Sequence, residues 1–251
     1  MRVIWYDSID STNAEAMRRA EELENLTVIA AREQTAGRGQ RGNTWSSAPR
    51  ENLTFTVLLK GDFTSEDLVR LNMAAAVAVR NFLRAEGVEA VIKWPNDIYV
   101  GKRKICGMLI ENRLGPSGST VSAVGIGINL NQTEFPASLP NPTSLMLLTG
   151  RHTDLKPALE RFCQHFTSVI PGSTRNLSPS APDNLLSDYC SALFQKDVER
   201  PYRDLRTGEV FRGIIRGVSP ADGQLLVEQS VASDPGTKVI PYGFKDIGYI
   251  L

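Results

Sequence analysis

Residues that build metal centres or disulfide frameworks are scarce in this sequence. Its 251 residues include three cysteines and two histidines. Cys106, Cys163 and Cys190 lie far apart, and none belongs to a Cys-x-x-Cys or cysteine–histidine pattern with metal-ligand spacing. We therefore expect reduced thiols in a cytoplasmic protein, and neither a disulfide framework nor a cysteine–histidine metal site.

A net charge is also missing, because 28 basic side chains balance 28 acidic ones. A general nucleic-acid binder usually carries a basic excess, so the balance argues against that class of protein. No apolar run approaches the roughly 18 residues of a membrane span. The chain starts with a strand-like segment rather than a signal peptide. We expect a protein that binds neither DNA nor a membrane.

The hydrophobic patterns that are present predict a mixture of strands and helices. Strands are predicted over 3–6, 27–32, 53–59, 88–94, 97–100, 105–112 and 121–130, and helices from about residue 12, between Thr64 and Gly87, over 155–169 and over 185–194. The strands between 88 and 130 follow one another with short links. This spacing favours an α+β fold with a mixed or largely antiparallel sheet and helices on one face.

The last part of the chain has a different pattern, with short strands separated by turn residues. Asp222-Gly223 is a hairpin sequence within it. Such a series predicts a small barrel of the SH3 type. We expect a main domain over 1–195 and a second domain over 196–251. The segment 171–183 has few apolar residues and is predicted to be a flexible, dispensable insertion.

Between two predicted core strands lies a loop, residues 34–45, that is rich in glycine and arginine. Glycine backbone can turn successive N–H groups toward an anion. The guanidinium groups of Arg38 and Arg41 match phosphate or carboxylate oxygens. Trp45 adds an aromatic face. The composition fits a lid over a phosphorylated ligand, but it equally fits a flexible, solvent-exposed loop.

Other polar groups also allow two interpretations. Thr12 and Glu15 have the spacing of a capping box, so the Ser11-Thr12-Asn13 triplet either caps a helix or holds a polar ligand. Lys93 and Lys104 flank apolar strand segments, where each is either buried beside an anion or exposed to water. Alternating glycines in 125–129 would let a ligand or another backbone approach one face of a strand.

Several of these stretches together resemble one family, the biotin–protein ligases. The matching stretches are Ser11-Thr-Asn13, Glu33-Gln-Thr-Ala-Gly-Arg-Gly-Gln-Arg-Gly42 with Trp45, Lys93-Trp-Pro-Asn-Asp97, Arg103-Lys-Ile-Cys-Gly-Met-Leu-Ile-Glu111 and Gly125-Ile-Gly-Ile-Asn129. They occur in the family's order over roughly residues 1–130. The resemblance implies a fold related to class II tRNA-synthetase catalytic domains. It also implies a form without the N-terminal DNA-binding domain that some members carry.

The resemblance implies ATP-dependent attachment of biotin, through biotinyl-5′-AMP, to a lysine of the biotin carboxyl carrier domain of a biotin-dependent carboxylase. It implies catalytic roles for Lys104, Arg38 and Lys93. The biotin-binding set would be Ser11, Thr12, Asn13, Gln34, Arg38, Gly39, Gln40, Lys104 and Gly107, and the nucleotide-binding set Gly37, Arg38, Arg41, Trp45, Lys93, Asn96 and Asn129. Mg²⁺ is expected at the phosphates, with Asp97 or Asn96 as the nearest ligand. Gln40 departs from the family, because some members have arginine there.

Two other functions remain open at this point. Lipoate–protein ligases and octanoyl transferases share the fold and also acylate a carrier lysine. A non-enzymatic adenylate-binding module or SH3-type adaptor would bind its ligand without catalysing pyrophosphate exchange. The sequence also leaves open whether the protein is a monomer or a homodimer.

Overall fold

The computed structural model describes residues 1–114, 119–170, 184–231 and 234–250, with only the backbone described at Arg41, Val231, Asp234 and Pro235. The strands are β1 Val3–Tyr6, β2 Val28–Ala31, β3 Leu53–Gly61, β4 Val91–Lys93, β5 Asp97–Val100, β6 Arg103–Leu114, β7 Thr120–Ile128, β8 Glu199–Asp204, β9 Val210–Val218, β10 Leu225–Val231, β11 Asp234–Tyr242 and β12 Ile247–Tyr249. The helices are α1 Thr12–Arg18, α2 Ser65–Ala85, α3 Leu145–Thr149, α4 Leu155–Val169 and α5 Leu185–Ser191. The predicted insertion 171–183 lies outside the described residues.

The larger sheet has seven strands in the order β1-β2-β3-β7-β6-β5-β4. β1 and β2 are parallel, and the other neighbouring pairs are antiparallel. Consecutive strands β4 to β7 lie side by side, as their short links predicted. The mixed α+β sheet is therefore confirmed.

Helices cover both faces of this sheet, so the prediction of helices on one face was wrong. Successive residues of a strand point to opposite faces. Val28 of β2 packs in the main core with α2 and α4. Its neighbour Ile29 packs in a second cluster with Ala16 and Ala20 of α1 and the segment after it. The α1 region is too short to show this second face by its hydrophobic pattern alone.

The main core joins the sheet to α2 and α4 through aromatic rings. Phe162 of α4 lies 4.8 Å from Phe55 of β3 and 6.3 Å from Phe82 of α2 between ring centroids. The capping box of Thr64 and Asp67 begins α2, as predicted. The alanines of α2, from Ala74 to Ala76, are fully or almost fully buried. Small side chains let the helix approach closely, so the sheet is a rigid base for the loops at its edge.

Short elements account for most other differences from the predicted pattern. β4 begins three residues later than predicted, at Val91, while β6 extends beyond both predicted ends. The short helix α3, capped by Ser144, lies in a segment for which no helix or strand was predicted. Its five residues give too little periodicity to predict. No helix in the described part of the chain is both long and apolar enough to cross a membrane.

The second sheet has five antiparallel strands in the order β11-β10-β9-β8-β12. The predicted Asp222-Gly223 turn joins β9 to β10, and Gly223 has the positive φ of +73° that favours glycine. Among the described residues, β11 and β12 are not paired, so the sheet is not shown to close into a barrel. Trp94, just after β4, donates from Nε1 to Gly223 O at 2.9 Å and therefore ties the two sheets together.

Candidate functional site

One pocket of about 460 Å³ collects most of the polar residues that the sequence singled out. It lies over β6 and β7, between the start of α1 and the glycine–arginine loop. Its lining comprises Ser11, Thr12, Asn13, Gln34, Arg38, Gly39, Gln40, Trp45, Asn96, Lys104, Gly107, Met108, Leu109, Gly125, Ile126 and Gly127.

Uncharged side chains bonded to one another form one end of the pocket. The backbone N–H and the hydroxyl of Thr12 both donate to Gln34 Oε1, at 2.8 and 3.0 Å. The Thr56 hydroxyl donates to Asn13 Oδ1 at 2.6 Å and lies 2.9 Å from Thr12 Oγ1. The network fixes the start of α1 against the first residues of the loop.

The residue that caps α1 is Ser11, not Thr12 as the capping-box spacing predicted. The Ser11 hydroxyl accepts from Ala14 N at 3.5 Å. Thr12 is instead the first helical residue, and its side chain is buried in the network with Gln34. Because Ser11 is the cap, the Thr12 hydroxyl is available to bond Gln34 in the wall of the pocket.

The loop folds back on itself and is held at both ends. Trp45 N donates to Gly37 O at 3.0 Å, and Gly39 N donates to Asn43 O at 2.7 Å. Residues Gln40–Gly42 form a short 3₁₀ turn at the tip. A Cβ at Gly37 would lie 2.5 Å from Trp45 O, so only glycine fits this crossing of the backbone. The loop is therefore a folded hairpin and not an extended linker.

The ring of Trp45 packs against two glycines of the sheet, Gly107 of β6 and Gly127 of β7. A Cβ added at Gly127 would lie 2.3 to 2.6 Å from ring atoms of Trp45, and one at Gly125 would lie 2.3 Å from Asn13 Oδ1. The sequence analysis expected these glycines to admit a ligand or another backbone. In this structure they admit two of the protein's own side chains, because the loop and α1 fold over the same face.

Two cations face the pocket, and each is paired with a carboxylate. Arg38 Nη2 donates to Glu111 Oε2 at 2.9 Å, and Asn13 Nδ2 donates to the same oxygen at 2.8 Å. Lys104 Nζ lies 2.7 Å from Asp97 Oδ1 and 5.8 Å from the centre of the Trp45 ring. Glu111 thus couples the loop to the start of α1. Lys104 lies at the end of the pocket beside Trp45, whereas Arg38 and Glu111 lie beside Asn13 at the other end.

Lys93 lies apart from the pocket lining. Its ammonium is 5.3 Å from the Tyr99 ring centre and 4.6 Å from that of Tyr249. Burial lowers the pKa of Lys93, the charge of Lys104 lowers it further, and Asp97 acts in the opposite direction. Lys93 is in β4 and Lys104 is in β6, so β5 separates the strands of the two lysines. Asp97 of β5 lies in register with Lys93.

Asp97, the predicted magnesium ligand, forms an ion pair with Lys104. In the described part of the chain, no three histidine, cysteine, aspartate or glutamate side chains group as a metal site. Asn96, the alternative, donates from Nδ2 to Met108 O. A carboxylate that neutralises a lysine is a poor magnesium ligand, so these residues do not fit a magnesium site built by the protein itself.

Three predicted nucleotide-binding residues do not line the pocket. Gly37 lies in the loop where the backbone crosses Trp45, and Lys93 lies against the Tyr99 and Tyr249 rings. Asn129 is buried, donating from Nδ2 to Thr143 O at 2.9 Å, and its Oδ1 has no hydrogen-bond partner among the described residues. The side chain of Arg41 lies outside the part of the chain that the structure describes.

Thr56, which bonds Thr12 and Asn13 behind the pocket, was not predicted from the sequence. Thr54 and Thr56 alternate with Phe55 and Val57 in a strand that is otherwise apolar. That alternation places both hydroxyls on one face of β3 and was a usable indication of a polar network. Met108, Leu109 and Ile126, which add apolar wall, gave no such indication because any core strand has similar residues.

Comparison with known proteins shows the family to which the chain belongs. The sequence model of the biotin/lipoate A/B protein ligase family matches residues 5–131. The biotin–[acetyl-CoA-carboxylase] ligase of Paracoccus denitrificans is 38% identical over 165 residues, which are 62% of this chain and 68% of that protein. The bifunctional ligase/repressor BirA of Bacillus subtilis is 34% identical over 161 residues, 61% of this chain. The chain matches about half of BirA, 48% of its length.

A solved structure matches over nearly the whole chain. It is the biotin protein ligase from Aquifex aeolicus in complex with biotin and ATP, with a TM-score of 0.75 and 24% sequence identity, and the match covers 99% of each chain. At this identity the likeness concerns the fold. The coverage means that the likeness extends to both sheets.

Proposed function

Because this chain belongs to the biotin/lipoate A/B protein ligase family, we propose that it attaches biotin to a lysine of a biotin carboxyl carrier domain, using ATP. The observation that carries the proposal is the pocket with a hydrogen-bonding end around Thr12, Asn13 and Gln34 and a cationic end at Lys104. Biotin has a neutral ureido head and a carboxylate tail, so it matches both ends. The names of the relatives support the same substrate.

The first half-reaction joins two anions. A biotin carboxylate oxygen attacks the α-phosphorus of ATP, the bond to the bridging α–β oxygen breaks, and pyrophosphate leaves with its electron pair. The product is biotinyl-5′-AMP. Positive charge must offset the repulsion and the charge that builds on phosphorus. We assign Lys104 to the biotin carboxylate and the oxygen bridging to phosphorus, and Arg38 to the α-phosphate.

The hydrogen-bonding end suits the ureido group. Ser11, Thr12 and Gln34 offer hydroxyl and amide groups that can pair with its N–H and C=O groups. Asn13 fixes this end through Glu111 and Thr56. Gly39, Gln40 and Gly107 complete the proposed biotin site along the chain of the ligand.

The nucleotide would occupy the side of Lys104 and Asn96. In this proposal Trp45 contacts the ligand through its ring, and Gly37 and Arg41 belong to the lid, with Arg41 nearer to the leaving pyrophosphate. Lys93 would approach the α-phosphate from beside the pocket. Asn129 has a buried side-chain oxygen without a partner among the described residues. In this proposal that oxygen would accept a hydrogen bond from the adenylate.

Magnesium has no step in this proposal. Asp97 serves as the partner of Lys104, and the described residues supply no further carboxylate cluster.

In the second half-reaction the amine of the carrier lysine attacks the acyl carbon of the adenylate. An amide bond forms, AMP leaves, and the amine releases a proton. Before that step, a closed loop over residues 37–42 would exclude water and protect the mixed anhydride. The carrier domain of a biotin-dependent carboxylase is the proposed partner. The free thiols of Cys106, Cys163 and Cys190 fit a reducing cytoplasm.

We also propose the finer organisation of the fold. Residues 1–195 would be the adenylate-forming domain, related to class II tRNA-synthetase catalytic domains, and 196–251 a domain of the SH3 type. The seven-stranded mixed sheet and the separate five-stranded sheet support this division.

The test is ATP–pyrophosphate exchange with biotin and, in parallel, with lipoate. We expect exchange that depends on biotin. Exchange with lipoate alone would replace the proposal by a lipoate ligase of the same family. Binding of both ligands without exchange would instead indicate a non-enzymatic adenylate-binding module. Transfer of labelled biotin to a carrier domain then tests the second half-reaction.

Thr56→Val should weaken biotin binding, although Thr56 does not line the pocket. The valine keeps the shape but removes the hydroxyl, leaving Asn13 Oδ1 and Thr12 Oγ1 without this partner. The buried hydrogen bond is worth about 1–3 kcal/mol, so we expect a comparable loss of unfolding free energy. We also expect a KM for biotin raised about tenfold, measured by exchange.

Thr54→Val is the matched control. Thr54 is equally buried on the same face of β3, but its hydroxyl donates to Ala31 O at 2.9 Å, away from α1. This variant should lose stability with an unchanged KM for biotin. Equal effects of the two variants on KM would contradict a special role for the Thr12–Thr56–Asn13 network.

A further inference from the structure

Lys93 is held from two sides by aromatic rings that belong to different sheets. Tyr99 is in β5 of the larger sheet, and its ring centre lies 5.3 Å from Lys93 Nζ. Tyr249 is in β12 of the smaller sheet, and its ring centre is closer, at 4.6 Å. Both distances are within the range of cation–π attraction, about 6 Å. The second sheet therefore contacts a predicted catalytic cation directly.

Tyr249 makes this contact with its ring. Its hydroxyl is buried and has no hydrogen-bond partner among the described residues. The ring is fixed by neighbours of its own sheet and of the segment before it, since it lies 5.6 Å from the Tyr202 ring and 6.2 Å from the Phe194 ring. Strand pairing adds to this, because Tyr249 is in register with Tyr202 of β8. The position of the aromatic face is thus set by the smaller sheet.

An aromatic face is a suitable support for a cation that must bind phosphate. A carboxylate partner, such as Asp97 for Lys104, adds a negative charge beside the incoming triphosphate. The face of a ring attracts the ammonium through its quadrupole and leaves the positive charge available. Asp97 is the carboxylate in register with Lys93, but its oxygen already lies 2.7 Å from Lys104. The two rings therefore offset part of the cost of burying Lys93.

The residue next to Lys93 is fixed by the same sheet. Trp94 donates to Gly223 O at 2.9 Å, and its ring lies 5.2 Å from the Phe244 ring. The turn that leads from β4 to Asp97 is thus held by two residues, Gly223 and Phe244, that lie in turns between strands of the smaller sheet. These contacts explain why a sheet remote from the pocket lining can affect the cation.

We propose that Tyr249 is a positioning residue for Lys93, so that the smaller sheet sets the direction in which this lysine meets the α-phosphate. The role rests on the proposed function, since it assigns Lys93 to ATP. Tyr249 itself does not touch substrate. Its ring, and not its hydroxyl, carries the effect.

The experiment compares Tyr249→Phe, Tyr249→Leu and Tyr249→Met, the last filling the space with a flexible side chain. The matched control is Tyr242→Leu. Tyr242 is a buried tyrosine of the same sheet, and Arg206 lies 5.0 Å from its ring centre, so it loses an equivalent cation–ring pair away from Lys93. The readouts are the kcat and KM of biotin-dependent exchange, thermal unfolding, and the NMR shifts of the Lys93 side chain, assigned with Lys93→Arg.

We expect the Cε protons of Lys93 to show an upfield ring-current shift in the native protein and in Tyr249→Phe. Tyr249→Leu and Tyr249→Met should lose most of that shift. Their kcat should fall about tenfold, as expected for the loss of a cation–π contact, with an unchanged KM for biotin. Tyr249→Phe should retain kcat, and Tyr242→Leu should retain both kcat and the Lys93 shift.

Three results would overturn the assignment. One is an unshifted Lys93 signal in the native protein. Another is a wild-type kcat in a Tyr249→Leu or Tyr249→Met protein that has lost the shift. The third is an equal loss of kcat in Tyr242→Leu, which would mean that damage to the sheet is the cause. Failure of the proposed function is distinguishable, because the native protein would then show the shifted Lys93 signal but no biotin-dependent exchange.

Discussion

Lys104→Ala should lower biotin-dependent pyrophosphate exchange by about a thousandfold, in the range found when one group that stabilises transition-state charge is removed. The Lys104 ammonium is the cation of the pocket that lies closest to both Asp97 and Trp45. Without it, the carboxylate of biotin and the α-phosphate would meet with one charge less between them. The measurement is the exchange rate at saturating biotin and ATP.

Part of that loss should come from Asp97. Its side chain is 18% exposed and pairs with Lys104 at 2.7 Å. After Lys104→Ala, the Asp97 carboxylate would be an unpaired negative charge beside two anionic substrates. The double variant Lys104→Ala/Asp97→Asn removes this charge too, so it should recover about tenfold of the lost rate.

The neighbouring Lys102 supplies the control. It is exposed at the β5–β6 turn, and Lys102→Ala removes the same charge from the protein without reaching the pocket. We expect wild-type exchange from it. Wild-type exchange from Lys104→Ala would contradict the assigned role. Equal rates for the single and double variants would show that repulsion from Asp97 is not part of the loss.

The sequence predicted best those pocket residues that lie in segments with a recognisable local pattern. The glycine–arginine loop is one such segment, because it joins two core strands and because its composition suits an anion. Gln34, Arg38 and Lys104 do meet in one pocket. Their roles toward biotin and ATP stay predictions. The antiparallel order of β4 to β7 was likewise predictable, because short links leave few alternatives.

What the sequence could not show depends on contacts between distant segments. Lys93 contacts the Tyr249 ring of the other sheet, and no local pattern links the two residues. The helix α1 itself contributes only Ala16 and Met17 to the second cluster, so its apolar face was not predictable from periodicity. The choice of Ser11 over Thr12 as the cap follows from the bond of Thr12 to Gln34, which is a tertiary contact.

Gly127→Ala should disrupt the pocket through Trp45. The backbone of Gly127 does not require glycine, because its φ is not positive, so the effect of alanine is one of space. The new methyl would lie 2.3 Å from Trp45 Cε2 and 2.6 Å from Nε1, well inside contact distance. The ring must move, and with it the backbone crossing at Gly37. Overpacking of this kind costs about 1–3 kcal/mol, and we expect a corresponding fall in unfolding free energy.

Binding should suffer more than stability. Trp45 and Arg38 belong to the same hairpin, since residues 38 and 44 pair within it. A shift of about 1 Å at a positioning group can cost about a hundredfold in rate, so we expect a loss of this size in exchange. Gly217→Ala in β9 is the control, because its methyl would meet Cys190 Sγ at an ordinary 3.4 Å. It should leave exchange and stability unchanged.

A second substitution tests whether the clash is the cause. Trp45→Ala in the Gly127→Ala background removes the ring that the methyl would strike. The double variant should regain most of the unfolding free energy lost by Gly127→Ala, because the two changes share one contact. It should not regain exchange, since the ring is then missing from the proposed nucleotide site. Additive losses of stability would mean that Trp45 does not lie over Gly127 in solution.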